Sequence, residues 1–360
     1  MGYVQQLTVK NYRCFAEFSA ALTPGLNVVT GSSGAGKTSL LKATACALAA
    51  VAFRCRAEGV DLMPDDVRRQ AVARGGRLRF EPCFPGECSV QWQSGSQKTE
   101  FSQKMKGLLS SPSISESGDG AAEAVGDNLP LLAFYQANRQ WLLPKSLSEV
   151  SAVSKRDSRR DGYLGWFNAA DNLQAFHQWL IERSIARLQL ALDRQVGFWQ
   201  VEDDELAEAN RALKKALPGE FESIAYDMSA KAVVVKISGK QVDFTLLSDG
   251  ERAFIGLFTD IARRMCLLNP QFGDKIISET EGVVLVDELE AHRHPAWQKN
   301  IVKGLQAAFP KVQFIVTTHS SEILREVAPQ QILLLQEGKA VHPERSAECT
   351  SKANGQNRSV

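Results

Sequence analysis

The chain has 360 residues, enough to bury one large core or two modest ones. Its 42 basic and 41 acidic residues nearly cancel, so no global charge announces a polyanionic partner, although a local basic groove stays open. Seven scattered cysteines without a CxxC pair indicate neither a disulfide framework nor a zinc ribbon. No stretch has the length and apolarity of a membrane span and no signal-peptide profile opens the chain, so a reduced, cytoplasmic protein with no membrane partner is expected.

In chain order, residues 3–10 alternate weakly, as an exposed strand does. "PGLNVVTG" reads as a turn leading into a short apolar strand, and Thr38 to Phe53 as a helix. Between strand and helix lies "GSSGAGKT", which matches G-x-x-x-x-G-K-[ST] in the context that motif requires. The backbone of Gly31, Ser32, Ser33, Gly34, Ala35 and Gly36 would wrap N–H groups around phosphates at a helix N-terminus. Lys37 would contact the β- and γ-phosphates, and the Thr38 hydroxyl would bind Mg²⁺, which makes ATP and Mg²⁺ the expected cofactors.

From residue 56 to 108 helical periodicity is lost, and "RLRFEP" and "CSVQWQ" read as short antiparallel strands. "SSPSISESGDGAAEAVGDN" has the composition of a mobile loop. Residues 154–162, "SKRDSRRDG", form a basic loop that is better read as solvated surface than as a DNA contact. A helix is predicted from Asn172 to Gln200, a more charged one ending at Leu217, and then a hairpin over "KAVVVKISGKQVDFTLL". In "TLLSDGERAFIG", Ser248 and Glu251 stand at capping-box spacing ahead of a helix whose apolar face runs from Phe254 to Leu268, where Asn269-Pro270 ends it.

The last three runs, "GVVLVDE", "VQFIVTTH" and "QILLLQ", are apolar on both faces, as strands of a helix-covered parallel sheet are. The first ends in Asp287 and Glu288 at the sheet edge where ligands of such folds bind. Asp287 would hold the Mg²⁺ shell, and Glu288 would orient and deprotonate an attacking water. The second ends in Thr318, His319 and Ser320, which places His319 at the same edge for a γ-phosphate contact. His292 and His294 with nearby carboxylates could suggest a metal site, but successive residues of an extended loop point apart. The final twenty residues are polar and read as frayed.

P-loop, then "LSDGE", then the Asp-Glu strand, then the His strand is an order that resembles the head domain of the ABC-type ATPases. "NYRCF", "LPLLAFYQANRQW", "LLSDGERAFIGLFTDIARR", "LNP", "GVVLVDELEAHRHPAWQ" and "FPKVQFIVTTHS" together resemble the compact bacterial AAA/ABC ATPases related to RecF, SMC and OLD-type heads. Many of these serve as ATPase subunits of Septu- and retron-type anti-phage systems. The resemblance implies an α/β fold, an ABC-type P-loop NTPase head with a mixed central sheet, an antiparallel β insert and a helical lobe.

It also implies roles. Ser248, Gly250 and Glu251 would form the signature that contacts ATP held by the opposite subunit of a homodimer. Gln136 would be the Q-loop residue touching Mg²⁺ and the attacking water, and Arg13 would lie near the base or phosphates. Two positions depart from the pattern: Ser33 stands where Asn is frequent, and Asp249 replaces the first Gly of LSGG, with its carboxylate expected to face away from the γ-phosphate. The implied function is an ATP-hydrolysing head that regulates a separately encoded nuclease in anti-phage defence, with DNA or RNA as a further ligand; a RecF-like DNA-repair clamp is the alternative. The implied divisions are residues 1–55 (first ATPase lobe with the P-loop), 56–130 (β-rich insert and loop), 131–220 (Q-loop segment and helical lobe), 221–340 (second ATPase lobe) and 341–360 (polar tail).

Overall fold

A computed structural model describes residues 2–74, 77–107, 110–118, 127–137, 158–171, 173–291, 295–336 and 339–341. The chain divides into two units, one made of residues 1–124, 285–289 and 313–360, the other of residues 125–284 and 290–312. The polar tail expected to fray, the two loop histidines and much of the basic loop lie outside the described residues.

The first unit opens with β1 (Gly2–Tyr12) and β2 (Phe15–Ala21), an antiparallel pair, followed by β3 (Leu26–Gly31) and α1 (Lys37–Arg54). Helix α1 is built largely from alanine and leucine, and Leu40, Leu41, Ala45 and Leu48 are buried. A helix apolar on all sides belongs inside a fold, which is where α1 lies. Next come the ribbon β4 (Arg69–Arg74) with β5 (Arg77–Pro82), then β6 (Gly86–Ser94), β7 (Gln97–Met105) and β8 (Ser113–Gly118). The order β2-β1-β6-β7-β8 makes an antiparallel sheet, while β4 and β5 form a two-stranded sheet among the described residues.

Two expectations change here. Strand β1 is not simply an exposed strand: it lies between β2 and β6, and Val4, Leu7 and Val9 are buried, so its weak alternation reflects a polar face inside a sheet. The Ser-rich segment is not wholly a loop, because Ser113–Gly118 forms β8 and pairs antiparallel with β7. Ser102 and Ser115 share a hydroxyl hydrogen bond of 2.7 Å, the kind of cross-strand polar pair that lets serines join a ladder.

The second unit contains β9 (Leu131–Tyr135), α2 (Leu173–Asp193), α3 (Glu205–Ala216), and an antiparallel sheet of β10 (Phe221–Asp227), β11 (Ala232–Ile237) and β12 (Lys240–Asp243). Helix α2 stops at Asp193, short of the predicted Gln200, and Gln195 follows at φ +54. Helix α3 starts from Asp204, whose carboxylate accepts the Ala207 N–H at 2.8 Å. After it come α4 (Asp249–Leu268), α5 (Ile276–Glu279), β13 (Gly282–Val286) and α6 (Pro295–Ala308). The predicted apolar face of α4 is buried, with Phe254 and Phe258 stacked at 4.6 Å and Phe258 on Phe309 at 5.8 Å.

The chain returns to the first unit with the carboxyl end of β13 and with β14 (Val312–Thr317), α7 (Ser321–Arg325), β15 (Ile332–Gln336) and β16 (Lys339–Val341). Strands β14 and β15 flank β3, both parallel to it, and β16 closes antiparallel on β15. Parallel order brings the carboxyl ends of β3 and β14 to one edge. Gln313, fully buried in an otherwise apolar strand, ties β14 to β1: its amide donates to Val4 and Thr23 carbonyls and accepts the Val4 N–H, all at 2.8–2.9 Å.

Candidate active site

The P-loop follows β3 directly, and Gly34 and Gly36 take φ +80 and +98, a region that favours glycine. At Gly36 a side chain would also collide, since a Cβ would stand 2.6 Å from Cys14 Sγ and 2.9 Å from the Phe15 ring. Lys37 is 7 % exposed, and its ammonium donates to the Gly31 and Ser32 carbonyls at 3.0 and 2.9 Å. Those bonds hold the positive charge against the loop.

Asp287 is 2 % exposed and accepts two hydroxyl hydrogen bonds, from Thr38 at 2.8 Å and from Thr317 at 2.6 Å. The first joins the start of α1 to the end of β13. The same Thr317 oxygen accepts the Glu288 N–H at 2.7 Å, and the Thr317 carbonyl accepts the Leu289 N–H at 2.8 Å. Glu288 itself is exposed at φ +49, so a residue other than glycine is held in left-handed geometry. Next on the chain, the Thr318 N–H bonds the Val29 carbonyl at 3.1 Å, which fixes the end of β14 against β3 one residue before the exposed His319. The P-loop, Asp287, Glu288 and His319 therefore share the first unit.

The donor set fits a nucleotide with a hard divalent cation. Hydroxyl and carboxylate oxygens of Thr38 and Asp287 suit Mg²⁺, and the glycine-lined loop beside a lysine suits phosphates. Arg13, at φ +45, is occupied differently: its Nε and Nη2 both donate to Asp66 Oδ1 at 2.8 and 2.6 Å, and its backbone N–H bonds the Asp66 carbonyl. Its neighbours Cys14 and Phe15, rather than the guanidinium, meet the P-loop. Burial raises the Cys14 thiol above its usual range, so it stays protonated near neutral pH.

The remaining predicted residues lie in the second unit. Gln136 is half-buried and donates to the Phe167 carbonyl at 3.2 Å. Ser248 caps α4: its hydroxyl accepts the Glu251 N–H at 3.3 Å and donates to Glu251 Oε2 at 2.7 Å, while its own N–H reaches that carboxylate at 2.9 Å. Glu251 thus uses its charge on the helix start. Asp249 pairs with Arg252, which also bonds the Thr245 and Leu247 carbonyls at 2.8 Å, so the acidic replacement in the signature is neutralised locally. Gly250 lies between these two pairs, half-exposed.

One second-unit constellation escaped the sequence reading. Tyr135, next to Gln136, donates its hydroxyl to Asp260 Oδ2 on α4 at 2.8 Å. Arg263 and Arg264 each donate Nε to that carboxylate at 2.8 Å, and Arg264 also binds the Gly162 and Leu164 carbonyls. Burial alone would raise the Asp260 pKa, but the two guanidiniums and the hydrogen bonds outweigh it and hold the carboxyl below its usual value. The i, i+3 and i, i+4 spacing of Asp260, Arg263 and Arg264 inside an apolar helix was the available signal.

Comparison with known proteins agrees with this architecture. The family described as "AAA domain, putative AbiEii toxin, Type IV TA system" matches residues 91–325, a stretch that begins after the P-loop. The chain is 32 % identical over 160 residues to the retron Ec83 probable ATPase of Escherichia coli, covering 44 % of this chain and 29 % of that one. It is 22 % identical over 315 residues to the Septu protein PtuA of Bacillus thuringiensis, covering 86 % and 70 %. In structure it is similar to an Smc head bound to the C-winged helix domain of ScpA, with a TM-score of 0.55 at 15 % identity over 96 % of this chain and 99 % of the other, a likeness of fold. The chain spans less than a third of the length of the retron relative.

Proposed function

Since the chain belongs to the AAA-domain family of the putative AbiEii toxin and type IV toxin–antitoxin kind, we propose that it is an ABC-type ATPase head that binds and hydrolyses ATP with Mg²⁺. The reading rests chiefly on the hydrogen-bonded series Thr38–Asp287–Thr317–Glu288, which joins a phosphate loop to the Asp287 carboxylate and to the backbone of Glu288. Bound Mg²⁺ would supply charge neutralisation to the β- and γ-phosphates. Thr38 and Asp287 would hold it. Lys37 and the backbone N–H groups of residues 31–38 would bind phosphate oxygens. Glu288 would orient water and take its proton, and His319 would donate to the γ-phosphate.

A second part of the proposal concerns assembly. Ser248 and Gly250, at the positive end of α4, would meet the γ-phosphate of ATP on another copy, so that ATP clamps two heads and hydrolysis frees them. Leu246, 78 % exposed just before the signature, supports such an interface. The likeness to retron and Septu proteins supports a role in anti-phage defence, with the head regulating a separately encoded nuclease.

The test is the Glu288→Gln protein. It should retain ATP binding, lose roughly 10²–10⁴-fold in turnover, and sediment as a dimer with ATP and as a monomer without it. Turnover at the parental rate would remove Glu288 from its role, and ATP-independent sedimentation would remove the clamp. Co-expression with the neighbouring reading frame, followed by purification, tests the nuclease partner.

A further inference from the structure

The second unit holds a cavity that takes no part in the site above. Its volume of about 320 Å³ falls in the range of roughly 300–1,000 Å³ found where a protein holds a whole small molecule. The floor is one face of the sheet β10–β11–β12. Register sets Ser223 and Gln241 opposite Lys236, and Ala225 opposite Val234. Strand alternation puts these residues on the face that lines the cavity, while Ile224, Val233 and Val235 on the other face are buried in the core. Ser223 and Ala225 are small, which leaves a hollow among the larger Leu188, Trp199 and Met228.

Trp199 is 52 % exposed, yet it is held in place. The Phe198 ring meets it edge-on with centroids 4.8 Å apart, and the Arg187 guanidinium lies 5.5 Å from the Phe198 ring and 6.0 Å from that of Trp199. Asp204 fixes Arg187 in turn, accepting from Nε at 2.7 Å and from Nη2. A ring fixed in this way loses little freedom when a ligand covers it. Two charged residues line the cavity, Asp227 and Lys236. Lys236 is answered by Glu222 at 2.6 Å, and it stands opposite Ser223, four residues or roughly 13 Å along β10 from Asp227. Asp227 Oδ1 accepts the Ser229 and Ala230 N–H groups at 2.8 and 2.9 Å. Among the described residues its Oδ2 has no donor and its carboxylate no cation; Lys231, on the same turn, is exposed and outside the lining.

We propose that this cavity binds a small arylalkylammonium ion, with the ammonium on the free oxygen of Asp227 and the aromatic ring against Trp199. A charge-assisted hydrogen bond fixes one end of such a ligand, and ring-on-ring contact holds the other. The apolar floor of Ala225 and Val234 suits the body between them. An anion would set its charge against Asp227, and the cation it needs, Lys236, already has Glu222. The site is independent of the ATP reading.

The test titrates the full chain, without nucleotide and near neutral pH, with tryptamine and with phenethylamine, read by ligand-observed NMR. The tighter of the two should saturate with a Kd of about 1 mM or below. Its carboxylate counterpart, indole propionate or phenylpropionate, keeps the ring, reverses the charge and should bind about tenfold more weakly. Asp227→Asn keeps the Oδ1 acceptor that the turn uses and removes the charge, so it should weaken the amine about tenfold. Trp199→Ala should weaken it about threefold or more. Asp274→Asn, the same charge change at an exposed residue outside the lining, should stay within about twofold of the parent. Saturating ATP with Mg²⁺ should leave the amine bound. No saturation by either amine up to about 10 mM, equal binding of the carboxylate, parental affinity in the Asp227 or the Trp199 variant, or displacement by ATP would overturn the site. N-acetyl-lysine methylamide bound as tightly as the amine would overturn the aromatic ligand in favour of a protein side chain.

Discussion

The hydroxyl of Thr317 accepts the backbone N–H of Glu288 at 2.7 Å. Because the same hydroxyl donates to Asp287 at 2.6 Å, one oxygen fixes the positions of both acidic residues. Left-handed backbone costs a residue other than glycine roughly 1–2 kcal/mol, so φ +49 at Glu288 needs such anchoring. Thr317 is fully buried, and water cannot replace it.

Thr317→Val keeps the shape and removes the hydroxyl. The Glu288 N–H and one Asp287 oxygen then lose their partner, at a stability cost of about 1–3 kcal/mol. In steady-state assays kcat should fall by about tenfold, one pair's worth of misplacement, with KM for ATP near the parental value. Thr317→Ser should restore most of the rate. Parental kcat in the valine protein would mean that Glu288 needs no anchor.

Lys37→Ala addresses binding alone. An ammonium placed on phosphate oxygens contributes roughly 1.5–3 kcal/mol, so ATP affinity, read by equilibrium titration, should drop about tenfold or more. Unchanged affinity would sink the P-loop assignment.

Asp260 makes a prediction about stability. It is 1 % exposed between two arginines, and Asp260→Asn would leave their charges buried without a counter-charge, at a cost of about 3–5 kcal/mol in denaturant titration. The pH dependence has a definite sign. Its folded pKa lies below the unfolded value of about 3.9, so the stabilisation is complete above that value and is lost as pH falls through the folded pKa. The asparagine protein should lack this acid-side component, and parallel pH–stability curves for the two proteins would contradict the depressed pKa.

The sequence was informative where local chemistry and fold agree. The P-loop spacing, the buried runs of β13 to β15 and the capping box at Ser248 each carry a short-range pattern, and the structure has the corresponding strand, helix and cap. What it hid depends on contacts between distant residues. Thr317 was passed over for Thr318 and His319 because nothing local distinguishes two successive threonines; only the approach of β13 gives one of them Asp287 as a neighbour. Arg13 sits 53 residues from Asp66, and no periodicity links them. Strand β8 was read as loop because serines and glycine resemble a linker until β7 supplies the pairing edge.

The signature allows two accounts of Ser248 to be separated. If the hydroxyl only caps α4, Ser248→Ala should cost about 1 kcal/mol and leave ATP-driven association unchanged. If it also reaches a γ-phosphate on another copy, the same change should slow hydrolysis as well, because each of two composite sites loses a contact. Background hydrolysis blurs that comparison, so association is better measured in Glu288→Gln protein, where ATP persists. Ser248→Arg introduces bulk at the end of α4, beside the Asp249–Arg252 pair and the exposed Leu246. In sedimentation with ATP, Glu288→Gln/Ser248→Arg should remain largely monomeric while Glu288→Gln dimerises. A matched pair with Ser229→Arg, the same change at an exposed residue between β10 and β11 and away from α4 in sequence, controls for added charge. If both double variants associate as the parent does, Ser248 is a helix cap and nothing more.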